Sequence, residues 1–160
     1  MLRRRIAIGL VLALLVALPA TAQDFQKGFD ASKRGDYATA LREWQPLAEQ
    51  GNAYAQHNLG IMYENGQGVP QDYAEAVKWY RKAAEKGYAT AQYNLGLMYG
   101  KGQGVPQDYV QAHLWFSLSA AKGQKEGSKD RDTAAKLMTP TQIAEAQKLA
   151  REWWAKHKKE

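Results

Sequence analysis

The chain has 160 residues, no cysteine, and 22 Lys and Arg against 16 Asp and Glu, a formal charge of +6. Without cysteine, disulfide stapling and lipid attachment through a cysteine are both excluded. Residues 1–22 hold three arginines and no acid, so the rest carries +3, spread out apart from the tail Lys156-His157-Lys158-Lys159; nucleic acid, which calls for a basic stripe or patch, is not an expected partner.

Arg3, Arg4 and Arg5 lead into an apolar run from Ile6 to Leu18, and Pro19-Ala20-Thr21-Ala22 supplies the A-x-A pattern of a signal-peptidase site. About 13 apolar residues are too few to cross a hydrocarbon core that needs roughly 20. Residues 1–22 are therefore expected to be an export signal cleaved after Ala22, with no stable membrane insertion afterwards. The product would reside in the periplasm or, alternatively, be secreted. The remainder, 23–160, is of a size to fold as one unit without disulfides or metal.

Laid over itself at an offset of 36, the sequence matches at 21 of the 36 positions that pair residues 52–87 with 88–123. The longest identity is Gly66-Gln67-Gly68-Val69-Pro70-Gln71-Asp72-Tyr73 against Gly102-Gln103-Gly104-Val105-Pro106-Gln107-Asp108-Tyr109. Such a period marks a repeat architecture and governs every other reading.

Each copy resolves into two helices. Ala55, Leu59, Met62 and Tyr63, with Ala91, Leu95, Met98 and Tyr99 one copy on, occupy one helical face. A second helix is expected to start at Asp72 or Asp108, whose carboxylate accepts first-turn N–H groups while Glu75 or Gln111 completes a capping box. Gly87 and Gly123 end it. Gly60, Gly96, Ala76 and Ala112 would admit close helix approach, and Trp79 and Trp115 would fill the wider gaps.

Upstream, Gly35-Asp36-Tyr37-Ala38-Thr39-Ala40 stands 36 residues before the Asp72 helix start, which defines a degenerate first unit over about 25–52. Its inter-helix turn is about four residues shorter, since Gly28 precedes Asp36 by eight residues where Gly60 precedes Asp72 by twelve. Full units follow at 53–87 and 88–123. Downstream comes a polar stretch from Gly123 to Asp130, then capping helices over 130–157: a short one near Arg131–Met138 and a longer one opened by the cap Thr139, with Pro140 in its first turn and Gln142 reaching back. Ile143, Ala146, Ala150 and Trp153 form the apolar stripe of the last helix, and Lys148, Arg151, Glu152 and Lys156 its charged outer face.

The pattern Ala55-x-x-x-Leu59-Gly60-x-Met62-Tyr63-x-x-Gly66-x-Gly68-Val69-x-x-Asp72, with Ala76, Trp79-Tyr80, Ala83-Ala84 and Gly87, resembles the Sel1-like repeat, a branch of the tetratricopeptide-type helical repeats. The resemblance covers 53–123 fully and the first unit loosely. The segment from Arg131-Asp132 to Trp153-Trp154 is similar to the helical tail that often follows the last repeat. It implies an all-α fold, a right-handed α-solenoid of antiparallel helix pairs with C-terminal capping helices.

The sequence also offers matches to chemistry, and the repeat tests them. Ser119-x-x-Lys122 fits the Ser-x-x-Lys of penicillin-recognising enzymes, but Ser119 falls where the preceding copy has Ala83, and no Lys-Thr-Gly or Ser-Asp-Asn partner exists. The Gly66-Gln67-Gly68 and Gly102-Gln103-Gly104 turns lack the Lys-Ser/Thr of a phosphate loop and lead into an acid. His57, His113 and His157 have no ligand spacing. The reading is therefore a non-enzyme with no metal and no cofactor. A cell-wall or β-lactam-interacting enzyme, or a secreted factor acting on another cell, are the alternatives.

Stacked helix pairs present an extended concave surface lined by the first helix of each pair. With the apolar stripe turned inward, Tyr54, His57, Asn58 and Ile61, and one copy on Thr90, Tyr93, Asn94 and Leu97, would face away from it as partner-binding candidates. Asn58 and Asn94 could hold a peptide backbone through donor and acceptor together. The expected partner is a protein or peptide bound by a monomeric scaffold.

Overall fold

The computed structural model describes residues 20–158; residues 1–19, which carry most of the expected export signal, lie outside them. Eight helices and no strand are found among the described residues: α1 (Ala20–Lys33), α2 (Tyr37–Glu49), α3 (Ala53–Asn65), α4 (Tyr73–Glu85), α5 (Ala89–Lys101), α6 (Tyr109–Ala121), α7 (Lys125–Ala135) and α8 (Pro140–His157). From α1 to α7 each helix packs on the next, which generates the right-handed α-solenoid of antiparallel pairs. The last helix, α8, breaks the order by folding back onto α6. None of these helices is long and apolar enough to cross a membrane.

The first unit's turn occupies 34–36 where the second unit's occupies 66–72, the four-residue shortening read from the glycine spacing. Close approach of paired helices depends on three glycines. A Cβ on Gly60 would stand 2.5 Å from the Tyr80 ring, one on Gly96 2.6 Å from Phe116, and one on Gly28 2.5 Å from Trp44. The three rings hold equivalent places in successive units and are buried to within 4%. Glycine is required because the ring occupies the volume that any side chain would need.

The turn between α5 and α6 shows the tightest contact of all. Gly104 has φ +71, and a Cβ there would stand 2.2 Å from the carbonyl oxygen of Tyr73, at the start of α4. Each turn thus lies on the first residues of the preceding unit's second helix, as Gly68 lies on Tyr37.

Asp72 accepts from Glu75 N at 3.0 Å and Asp108 from Gln111 N at 3.0 Å, so both cap as expected. The reciprocal half of the box is missing, because the Asp72 and Asp108 N–H groups already donate to Tyr63 O and Tyr99 O across the turn. Glu75 pairs with Lys78 instead. Among the described residues only Thr139 and Gln142 form the complete box.

The stretch from Gly123 to Asp130 is a second correction. Helix α7 begins at Lys125, well before the expected capping-helix start at 130, with Gln124 as its N-cap. Asn52, Tyr88 and Gln124 stand in register at 36-residue steps as caps of α3, α5 and α7. Helix α7 is therefore the first helix of a fourth unit, and its polar composition hides it: Gly127 and Ala134 alone are buried.

Side-chain amides tie the units together. Gln56 donates to Ala48 O at 2.9 Å and Gln92 to Ala84 O at 3.1 Å, each reaching the end of the preceding helix from inside the core. Two apolar clusters result, one around Trp44, Leu59 and Met62, the other around Tyr80, Leu95, Met98 and Trp115. Trp153 and Trp154 of α8 close the second.

Candidate partner-binding face

The first helices of the units, α1, α3, α5 and α7, line one face of the stack, and the gaps between them have floors made by the second helices. Of the eight candidates, Tyr54 is the most open, 57% exposed. Its ring meets Phe25 edge-on at 6.1 Å and Tyr88 at 4.9 Å between centroids. Phe25, Gln26, Phe29, Tyr54, Asn58 and Tyr88 enclose a groove of about 360 Å³ between α1 and α3. Ile61 joins Phe29, Asn58, Met62 and the floor residue Trp44 in an adjoining recess of about 100 Å³. Phe25 and Phe29 were not among the sequence candidates; the shortened first turn displaces α1 from the 36-residue register, so Phe29 matches Ile61 only at an offset of 32.

His57 does not face away. It is 7% exposed, its ring against Tyr80 and Tyr88 at 5.8 and 5.1 Å. The Asn94 amide donates to its Nε2 at 3.2 Å. Burial pushes the imidazole down to about 4, against a small opposing effect of the Asn58 amide. This pair joins α3 to α5, so two of the eight candidates are engaged inside the stack. The reason is geometric: position 57 points along the stack toward the next unit rather than out of it.

The Tyr80 hydroxyl donates to Glu64 Oε2 at 2.5 Å, and burial, followed by that carboxylate, raises the phenol further above its ordinary range. One unit on, the equivalent residues are Phe116 and Gly100, which have neither hydroxyl nor carboxylate. There the gap stays open as a pocket of about 190 Å³ containing Leu97, Gly100, Lys101, Phe116, Asp130 and Leu137. Tyr93, beside it, donates to Asp130 Oδ2 at 2.8 Å; burial first, then Asp130, pushes the phenol up to about 12. Thr90 is half-buried at the start of α5. Asp130 and Leu137 escaped the sequence reading because α7 was not seen as a continuation of the repeat.

The residues that resembled catalytic chemistry are occupied structurally. Ser119 is fully buried and its hydroxyl donates to Ala89 O at 2.9 Å, tying α6 to α5 within one unit. The N–H groups of Gly66 and Gln67 are bonded to Met62 O, closing the end of α3 rather than pointing at a ligand. His157 stacks on Trp153 at 3.9 Å. No cluster of metal-ligating side chains occurs among the described residues.

Comparison with known proteins agrees with this architecture. The Sel1 repeat profile matches residues 53–88 and 89–124. Among solved structures, c5321, described as a protective antigen present in uropathogenic Escherichia coli strains displaying an SLR fold, is similar with TM-score 0.81 and 31% identity over 86% of this chain and 30% of its own. A Sel1 repeat protein from Oxalobacter formigenes is similar with TM-score 0.65 and 34% identity, over 71% of this chain and 89% of its own. No curated protein sequence matches. The chain thus spans under a third of the first of these structures and most of the second. Sel1 repeats generally form scaffolds for protein interaction. On the repeat match and the shared fold, the chain belongs to the Sel1 repeat family.

Proposed function

We propose that the chain is an exported, non-catalytic docking module that holds a protein or peptide partner on the concave face of its helix stack, acting as a monomer without cofactor. The observation that carries this reading is the aromatic groove between α1 and α3. Phe29 and Tyr54 expose 39% and 57% of their surface beside the Asn58 amide. Large aromatic rings next to a group that can both donate and accept are the composition that dominates docking sites. The burial of Ser119 supports the non-catalytic part.

For the address, Arg3 to Arg5, the apolar run and Ala20-x-Ala22 favour export to the periplasm, with release to the medium as the other destination. The description of the neighbour c5321 as a protective antigen favours a place outside the cytoplasm. The test is site-specific crosslinking in the producing cells, with p-benzoylphenylalanine replacing Tyr54 or, as control, Lys148 on the outer face of α8. A discrete adduct from position 54 alone is expected. Equal adducts from both positions, or none from either, would remove the docking reading. N-terminal sequencing of the envelope-fraction protein is expected to begin at Gln23.

A further inference from the structure

Successive units of this chain act as controls for one another, and they single out the gap between α5 and α7. In the preceding gap the Tyr80 hydroxyl and the Glu64 carboxylate meet above the second helix. In this one Phe116 and Gly100 leave that space open, and a Cβ on Gly100 would meet nothing nearer than Ala112 at 3.8 Å. The opening over Phe116 thus lacks both the hydroxyl and the carboxylate that meet over Tyr80, and it is larger than the recess of about 100 Å³ over Trp44 between α1 and α3. Its walls are apolar, with Leu97, Phe116, Ala134 and the 60% exposed Leu137.

The rim carries a second difference. Asn58 and Asn94 are followed one unit on by Asp130, which puts a carboxylate where the sister units have a neutral amide. The Tyr93 hydroxyl holds one of its oxygens at 2.8 Å, and the adjacent Arg131 and Asp132 are paired with each other. Lys101 marks the other end. It lies seven residues beyond Asn94, the equivalent of Asp130, so the two charges are offset by about 10 Å along the helix direction at 1.5 Å per residue.

We infer that this gap is a socket for one apolar side chain of an extended partner peptide, whose basic neighbour is held by Asp130 and whose acidic neighbour is held by Lys101. The inference rests on the docking function proposed above and gives it a location and a partner chemistry. Opposite charges at the two ends set the direction in which the peptide lies and reject chains of uniform sign. The apolar side chain supplies the affinity by leaving water.

The probe is the capped tetrapeptide Lys-Leu-Gly-Glu, whose charged residues stand about 10 Å apart when extended. It is titrated into the chain, purified as its cell produces it, while the methyl resonances of Leu97 and Leu137 are followed by NMR. Saturable shifts at these methyls are expected. They should weaken about tenfold with Asp130→Asn and with a Gln-Leu-Gly-Gln peptide. They should vanish in the double variant Gly100→Glu, Phe116→Tyr, which places the Tyr–Glu pair of the preceding unit in the opening. Should that variant fail to fold, Leu137→Glu at the exposed wall is expected to weaken binding at least fivefold.

No saturable shift in the native chain, undiminished binding in the wall variant, or equal binding of the uncharged peptide would overturn the inference. So would a native dimer in sedimentation that Leu137→Glu dissolves, since a second copy would then be the occupant. If the peptide fails while position 54 still crosslinks a partner, only the socket falls; if both fail, the docking function falls with it.

Discussion

The Tyr80 hydroxyl and the Glu64 carboxylate, 16 residues apart on α4 and α3, meet at 2.5 Å. A buried phenol needs an acceptor, and one unit on, where the ring is Phe116, the matching carboxylate is absent as well. A double-mutant cycle with Tyr80→Phe and Glu64→Ala should give a coupling energy of about 1 to 2 kcal/mol by urea unfolding. Additive effects would show that the contact is not formed in solution.

Gly60 and Gly100 should respond to alanine in opposite directions. At Gly60 the new methyl meets the Tyr80 ring at 2.5 Å, and at Gly96 it meets Phe116 at 2.6 Å. Each is expected to cost about 1 to 3 kcal/mol from overpacking. At Gly100, with free space around the Cβ and a position inside α5, the change should stabilise by up to about 1 kcal/mol. Thermal unfolding of the three variants decides it.

His57 makes stability depend on pH. Its folded-state value, about 4, lies below the ordinary 6.5, so between these values the unfolded chain binds the extra proton. The contribution is fully present above pH 6.5 and is lost as pH falls toward 4, with a total of up to about 3 kcal/mol. The native urea midpoint should drop over this window, and His57→Gln should flatten that part of the profile. A native profile already flat from pH 7 to 4 would contradict the burial of this ring.

Trp153 holds α8 against the stack, its ring near Gly87 and stacked on His157. Trp153→Ala removes a half-buried indole and should destabilise by about 2 to 3 kcal/mol. Hydrogen exchange should show α8 opening first, ahead of α3 to α6.

The repeat made most of the architecture legible in advance. Period, helix pairs and the glycine contacts follow from comparing Gly60 with Gly96 and Asp72 with Asp108, and the shorter first turn from the spacing of Gly28 and Asp36. Two kinds of feature resisted. The early start of α7 and its place in the repeat are hidden because it buries almost no apolar side chain and so has no hydrophobic period to detect. His57 was misplaced because a stripe of apolar positions specifies which side of α3 faces its own partner α4, and says nothing about contacts to the following unit. Those contacts, with Gln56 and Gln92 as their polar members, depend on how one pair leans on the next. Phe25 and Phe29 were lost to the changed register of the first turn.

The contact of Gly104 with Tyr73, and of Gly68 with Tyr37, bears on how such a chain lengthens. The glycine of each turn and the tyrosine on which it rests recur together within one period, so duplicating any 36-residue stretch of the repeat copies both halves of the junction. Array length can then change by whole units without a new interface having to arise. The insertion must fall before α7, because α8, folded back on α6, has already ended the series.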